Sequence, residues 1–567
     1  MIALLLFWFA FSPAPLMQVQ PARSHQEQLQ SGKNGTVALP ASISDNAVAE
    51  KIRAKFNQRY YQKSSGGGKE KARFTDRLAR FYEARKYQPV WTKLVMVTQL
   101  IQAVEESSDD GLNPADYHLA EIRRYYRDSL VNSNKKACYD ILLSDAFLTL
   151  AAHLRYGKVD PESLDPNWNI TNNQKRRVFE QKLQHAIVSE HVGAVLAEFR
   201  PKDLKYEQLK RGLARYRIIA SGGGWPLLEN GVAMKVGVRD GRIPKLRQRL
   251  KVSGDIGLAS ADTSTVYGEE IAGAVRRFQQ RNALDADGVV GINTLRTLNI
   301  PVERRIEQIR LNLERYRWFL SDLEPACVIV NIAGFNLQYI ENNQPRWSTR
   351  VIVGQPVRET PVFKADMQYI IFNPQWVIPP TILAKDALPA LHKSTSYLKQ
   401  KKLRIIDRNG SVVNPASVDW SASSPTNFPY LLQQTSGDQG ALGRIKFVLP
   451  NRHIVYLHDT PTKDLFEKSS RAFSSGCIRV ENPVDLAELV LRDSVRWSAS
   501  KIRAIIHKEK TKTVFLEKPM PVFILYLTVE PKGEALHFMP DLYNRDDIVL
   551  KALDKPSPQF KMENCGF

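Results

Sequence analysis

The sequence predicts a multidomain α+β chain: a helical N-terminal part, a small three-helix unit, and a β-rich C-terminal part interrupted by a long insertion. Three observations carry this expectation. Apolar residues recur at three- and four-residue spacing from Ala47 to about Tyr216, the pattern of helices that bury one face. Glycine-rich breaks at Ser64–Gly68 and Ser221–Gly224 punctuate that stretch. From Cys327 onward the texture changes to short β-branched and aromatic runs bounded by Gly, Pro and Asn. At 567 residues the chain is also too long for a single core.

Met1–Phe11 is an unbroken apolar run of 11 residues, too short to span a bilayer but suited to the core of a signal peptide. No Lys or Arg precedes it, so residues 1–22 read either as a signal peptide or as a retained anchor, and polar residues 23–45 as a flexible leader. Export is the expectation, and no other stretch reads as long and apolar enough to span.

Residues 46–230 form the helical scaffold, with Tyr139–Leu154 a clear periodic segment and Asp110–Pro114 a turn leading into a helix. No catalytic cluster falls within it. Residues 235–300 make the three-helix unit: Leu246, Leu250, Ile271, Val275 and Phe278 keep helical spacing, and Asp287–Gly291 makes a tight turn before a helix near Thr294. A charged helix, Val302–Arg317, fills the linker 301–324.

Strands are expected at Cys327–Ile332, Arg350–Val353, Tyr369–Phe372, Lys446–Leu449 and His453–His458 within a β-rich domain over 325–530. The insertion 377–446 is too long for an ordinary connection and is partly helical at Thr381–Leu391, which makes it a candidate lid. A last strand pair, Val514–Leu516 with Val522–Val529, and an acidic turn, Asp541–Asp546, lead into a C-terminal extension over 531–567.

Composition sets limits on function. With 43% apolar and 25% charged residues the chain is ordinary globular material, and the formal charge of +21 is scattered along it. Such a surface favours a polyanion, and charge alone does not choose among wall polymer, nucleic acid and lipid headgroups. Cys138, Cys327, Cys477 and Cys565 lie far apart with no CxxC pair, which permits a free thiol. No metal or cofactor is expected: the ten histidines include no HExxH, and no glycine-rich run precedes a helix in P-loop form.

The chemistry concentrates between His458-Asp459-Thr460-Pro461 and Ser474-Ser475-Gly476-Cys477-Ile478-Arg479. A thiol becomes a strong nucleophile when an imidazole takes its proton and the resulting ion pair is stabilised. His458 ends a strand on which Tyr456 faces the same side, and Gly476 permits a tight turn that exposes Cys477 and points backbone N–H groups at a reacting carbonyl. Asn482-Pro483 starts a helix whose N-terminus is a further candidate to help the thiolate. Separately, a lone Cys reads as a small buried hydrophobe and a lone His as a hydrogen-bonded surface residue.

Together they read differently. His458, fifteen residues, then Ser-x-Gly-Cys-x-Arg resembles the active-site signature of the L,D-transpeptidase (YkuD) catalytic domain. Gly354, Thr360 and Pro361 resemble the same family's approach to its second strand, and the order LRQRL, AVRRFQQRNAL, DGVVGINTLRTL resembles the three-helix peptidoglycan-binding domain of wall hydrolases. The domain order resembles the large multidomain YcbB-type enzymes of Gram-negative bacteria, over roughly residues 45 to 560. One departure is Ser475, where many relatives have His directly before the Gly.

The resemblance implies a periplasmic, carbapenem-sensitive cysteine transpeptidase with Cys477 as nucleophile and His458 as base, its ring held by a backbone carbonyl. It implies an oxyanion hole from the Gly476 and Cys477 backbone, and substrate contacts from Arg479, Tyr456, Ser475, Ser474 and Trp376. Arg479 would hold a stem carboxylate or brace the loop, and Trp376 would wall the donor site or fill the core. The partners implied are donor and acceptor peptidoglycan stem peptides and glycan synthases, not nucleic acid, with the membrane touched only through an N-terminal anchor. Two alternatives stand beside it: hydrolysis or lipoprotein attachment by the same site, and a non-catalytic wall-binding scaffold.

Overall fold

A computed structural model describes residues 44–62, 69–127, 132–165, 168–170, 178–257, 263–437 and 439–557. The expected leader, the Ser64–Gly68 break and Cys565 lie outside them.

The scaffold is built around helix Ser133–Tyr156, whose residues from Ala137 to Leu154 are all buried. A helix apolar on every side must be enclosed. Leu100, Val104, Phe147, Phe179, Leu183 and Leu196 belong to the core that encloses it. By length and composition this helix also qualifies to cross a membrane, contrary to the sequence reading, but here it is the centre of a domain. The Asp110–Pro114 turn is structural: the buried Asp110 carboxylate accepts from Arg200 Nε (2.8 Å) and the Tyr206 hydroxyl (3.1 Å).

The three-helix unit consists of Ile243–Ser253, Glu269–Arg281 and Ile292–Leu298 around Leu246, Leu250, Ile271, Val275, Phe278 and Leu298. Helix Val302–Phe319 then runs between two cores. Ile309, Leu313 and Tyr316, spaced four and three apart, enter the core of the β-domain, whereas Leu311 and Trp318 enter the scaffold core.

The β-domain carries a nine-stranded sheet. Its strands are β1 (Cys327–Asn331), β2 (Asn336–Glu341), β3 (Gln344–Gly354) and β4 (Phe363–Phe372). An insertion then carries β5 (Trp376–Val377), β6 (Leu403–Ile406), β7 (Val412–Val413) and β8 (Leu431–Gln434). The main sheet resumes with β9 (Ile445–Val448), β10 (Leu457–His458), β11 (Ala472–Ser474), β12 (Ile478–Val480) and β13 (Lys512–Leu525). The order is β11-β3-β12-β10-β9-β4-β13-β1-β2, and because β2 also pairs with β3 the sheet closes on itself. The hairpin β14 (Val529–Lys532) and β15 (Ala535–Phe538) follows.

Beside its helices the insertion carries a four-stranded sheet of its own, β5-β8-β6-β7, over Ile378, Leu391, Leu398, Ile405 and Leu432. Two local expectations change. The expected strand pair 514–516 and 522–529 is one long strand to Leu525, whose register on β4 shifts between Phe515 and Met520, where Pro519 removes a ladder donor. Of the expected strand 453–458, only Leu457 and His458 join the ladder. Asn451 holds the preceding turn, its Oδ1 accepting from the N–H groups of His453 (3.0 Å) and Val455 (3.2 Å).

Candidate active site

Three adjacent strands aim the site residues. β10 runs parallel to β12 with Leu457 opposite Ile478 and His458 opposite Arg479. It runs antiparallel to β9 with His458 opposite Lys446 and Leu457 opposite Phe447. Paired residues share a face and successive residues alternate. Phe447, Leu457 and Ile478, fully buried, therefore fill the core, and Lys446, His458 and Arg479 project together from the other face. Tyr456 joins them. Its ring meets His458 edge-on at 5.6 Å between centroids, and Lys446 Nζ lies 3.8 Å from its centroid. Trp376, at the foot of the insertion, and the sulfur of Cys477 both act on the Tyr456 hydroxyl.

The turn before β12 shapes the position of Cys477. Gly476 has φ +114°, a conformation that favours glycine. Ser474, buried, spans the turn: its hydroxyl accepts from Gly476 N–H (3.1 Å) and donates to the Cys477 carbonyl (2.6 Å). The Gly476 carbonyl accepts from Thr360 Oγ1 (2.8 Å), which in turn accepts from Gly354 N–H (2.9 Å). The Tyr543 hydroxyl accepts from Thr360 N–H (3.2 Å) and donates to the Gly354 carbonyl (2.6 Å). In a trans peptide the carbonyl and the following N–H point in opposite directions. Anchoring the Gly476 carbonyl on Thr360 thus turns the Cys477 N–H away from Thr360, and that N–H makes no backbone hydrogen bond among the described residues outside the regular elements. The Gly476 N–H is consumed by Ser474, so of the two expected oxyanion donors only Cys477 N–H is available.

His458 is 5% exposed, and its Nδ1 donates to the Asp459 carbonyl in a short hydrogen bond. A carbonyl only accepts, so the proton sits on Nδ1 and Nε2 carries the lone pair. Asp459 is itself fixed, its N–H donating to the Ile445 carbonyl (2.8 Å) and its carboxylate accepting from Arg444 N–H (2.8 Å) and Lys463 Nζ (2.6 Å). Burial pushes the His458 pKa down to about 3, with the Arg479 and Lys446 charges adding and the Asp459 and Leu442 carbonyls opposing. Burial also raises the Cys477 thiol, while hydrogen bonds from Tyr456 and the Lys446 and Arg479 charges pull it back. At neutral pH the resting pair is therefore thiol and neutral imidazole, not the ion pair expected from sequence. No hydrogen bond joins the two among the described residues; the Cys477 thiol donates to the Ile454 carbonyl at 3.8 Å.

Ile454 has φ +56°, a strained conformation for a β-branched residue, and it sits where its carbonyl meets the thiol. Arg479 is half-buried and donates to Thr462 Oγ1 at 3.4 Å, with no carboxylate partner among the described residues. Ser475 is exposed and accepts from Arg358 (3.1 Å), whose guanidinium also grips Asp386 of the insertion through two bonds of 2.7 Å. Ser474 serves the loop, since both sides of its hydroxyl are used internally. Helix Pro483–Leu491 begins at the far end of β12, about 10 Å of strand away from Cys477, so its N-terminus does not face the sulfur. Cys327 is fully buried in β1 with its thiol pushed up to about 12 by burial. Sequence reasoning missed Lys446, although alternation with the core residue Phe447 would have placed it on the His458 face. It also missed Tyr543, which carries no local signal. No group of three His, Cys, Asp or Glu able to hold a metal occurs among the described residues.

Comparison with known proteins divides the chain similarly. Residues 325–515 match the L,D-transpeptidase catalytic domain model, YkuD. Residues 239–298 match a peptidoglycan binding domain, and residues 76–213 a scaffold domain. A curated Haemophilus influenzae protein named as an L,D-transpeptidase is 26% identical over 479 residues, 84% of this chain and 80% of that protein. The solved Ldtfm–avibactam carbamoyl enzyme aligns at 12% identity over 36% of this chain and 49% of its own, with a TM-score of 0.18. Mycobacterium tuberculosis L,D-transpeptidase 1 aligns at 11% over 35% and 61%, with a TM-score of 0.14.

Proposed function

We infer that this chain, which carries an L,D-transpeptidase catalytic domain of the YkuD family beside a peptidoglycan-binding domain, is an acyltransferase that forms 3→3 cross-links in peptidoglycan through Cys477. The observation that carries the assignment is a cysteine, only partly buried, on the turn into β12, flanked by Tyr456 and sharing one sheet face with His458. The other free thiol, Cys327, is sealed in the core.

In this reading Cys477 Sγ attacks the carbonyl joining diaminopimelate to the fourth-position D-alanine of a tetrapeptide stem. His458 Nε2 takes the thiol proton as the C–S bond forms, and Cys477 N–H holds the developing oxyanion. The same proton passes to the departing nitrogen as the C–N bond breaks, and D-alanine leaves. The side-chain amine of a second stem then attacks the thioester, gives up its proton to His458 and returns the thiol. Because His458 is neutral at rest, it is ready to accept the first proton without prior titration.

The reaction belongs in the periplasm of a Gram-negative cell, reached by export or with an N-terminal anchor retained. A disulfide at Cys138 supports an oxidising compartment. Water or a lipoprotein lysine would enter the same thioester, and the insertion that Arg358 ties to the nucleophile loop sets which acceptor arrives.

Muropeptide digests of cells expressing the protein test this. Diaminopimelate-to-diaminopimelate links are expected with the native chain and not with Cys477→Ala. Absence of such links from both, with tripeptide stems accumulating only in the native case, would replace cross-linking by hydrolysis. Equal links with both would refute the assignment of Cys477.

A further inference from the structure

Two cations face the thiol without a counter-ion. Lys446 is half-buried, its ammonium lying 3.8 Å from the Tyr456 ring centroid, and its register partner His458 is itself opposite Arg479. Neither Lys446 nor Arg479 has a carboxylate partner among the described residues, and the charges of both act on His458 and on Cys477. The Arg479 Nε is buried without a hydrogen-bond partner. Other deep arginines have partners, Arg281 with Asp255 and Arg315 with Asp546 as ion pairs, and Arg305 with the side-chain oxygens of Asn282 and Gln308.

Holding an ammonium and a guanidinium away from water costs energy that the Tyr456 face offsets only in part, so the arrangement is completed by an anion. The aromatic ring and the hydrogen bond from Arg479 to Thr462 keep the two heads on the face from which Cys477 is reached.

We propose that Lys446, together with Arg479, binds a free carboxylate of the donor stem peptide and so fixes the scissile carbonyl over Cys477. The proposal rests on the transpeptidase reading above and adds to it a substrate-binding residue and the group that it reads. A donor tetrapeptide offers two such carboxylates near the reacting carbonyl: that of the terminal D-alanine and that on the second centre of diaminopimelate. A carboxylate is recognised in either case, and a choice of donors separates the sources.

The test measures steady-state D-alanine release by the native full-length protein and by Lys446→Met and Lys446→Arg. Three donors are compared: the free tetrapeptide, the same peptide amidated at D-alanine, and the same peptide amidated at diaminopimelate. Loss of a charge-assisted contact predicts that Lys446→Met raises KM about 10- to 100-fold for the free donor with kcat within about twofold, and that Lys446→Arg recovers most of the loss. One of the two amidated donors should bind the native protein as weakly as the free donor binds Lys446→Met, and for that donor the variant should make no further difference. The proposal is overturned if Lys446→Met lowers kcat equally for all three donors, or if neither amidation weakens binding to the native protein. Failure of the transpeptidase reading looks different, as undiminished D-alanine release by Cys477→Ala.

Discussion

His458 is held with its proton toward the Asp459 carbonyl and its pKa pushed down to about 3, while the Cys477 thiol is raised by burial. From pH 5 to pH 8 the imidazole is therefore neutral throughout and contributes no acidic limb to the rate. Because the reacting form is the thiol beside a neutral imidazole, acylation should stay nearly flat across that range, a profile that single-turnover D-alanine release reads directly. Removing the base by His458→Ala should slow that step about 10²- to 10⁴-fold. The same depressed pKa bears on stability. His458 and the buried His153, also at about 3, bind protons more readily unfolded than folded. Their contribution is complete above the usual histidine value of about 6.5 and falls as pH drops toward 3. Melting temperature should decline over that window, less steeply in His153→Gln; a flat profile would contradict this. The sequence singles out Cys477 and His458 because their spacing resembles a signature. It does not single out Lys446, because its significance lies in a ladder pairing with His458 that only the fold supplies.

The turn that carries Cys477 is held by elements far from it in sequence. Gly476 is anchored by Thr360, and Thr360 by Tyr543 of the C-terminal extension. Gly354 adds a packing demand, since a side chain there would sit 2.1 Å from the Arg358 carbonyl. Tyr543→Phe removes the hydroxyl that accepts from Thr360 and donates to Gly354. It should lower kcat by up to about tenfold, the worth of a net hydrogen bond, with KM unchanged. Thr360→Val should cost more, and Thr360→Ser should retain most activity because it keeps the hydroxyl. A change in KM alone would show that these residues shape binding instead of orienting the Cys477 N–H. At this scale the sequence was informative where periodicity was long, as in Val302–Phe319, and misleading where one polar side chain reshaped the backbone. Alternation through His453–Tyr456 reads as strand, yet Asn451 holds a turn there and Ile454 takes a positive φ.

Across the whole molecule, the linker helix is fixed to the scaffold through a buried ion pair on its own surface. Arg317 and Glu314 are both fully buried and bonded to each other at 2.5 Å. Arg317 also donates to the Asp110 carbonyl (2.7 Å), and Glu314 accepts from Val159 N–H (2.7 Å). Glu314→Ala leaves a buried guanidinium uncompensated and should destabilise the protein by about 3–5 kcal/mol in denaturant titration. Glu314→Leu combined with Arg317→Met should recover part of that loss. If the single variant is as stable as the native chain, the pair does not hold the helix to the scaffold. The mixed helical and β-rich fold class was visible in the change from helical to strand texture. The enclosure of helix 133–156 was not, since an apolar helix reads alike whether protein or lipid surrounds it.

The most direct test of the account is the mass of the protein caught in mid-reaction. After brief incubation with a tetrapeptide donor and an acid quench, a gain equal to the donor less one D-alanine is predicted, mapped to the peptide that contains Cys477 and absent from Cys477→Ala. An adduct on Cys327, or continued D-alanine release by Cys477→Ala, would contradict it.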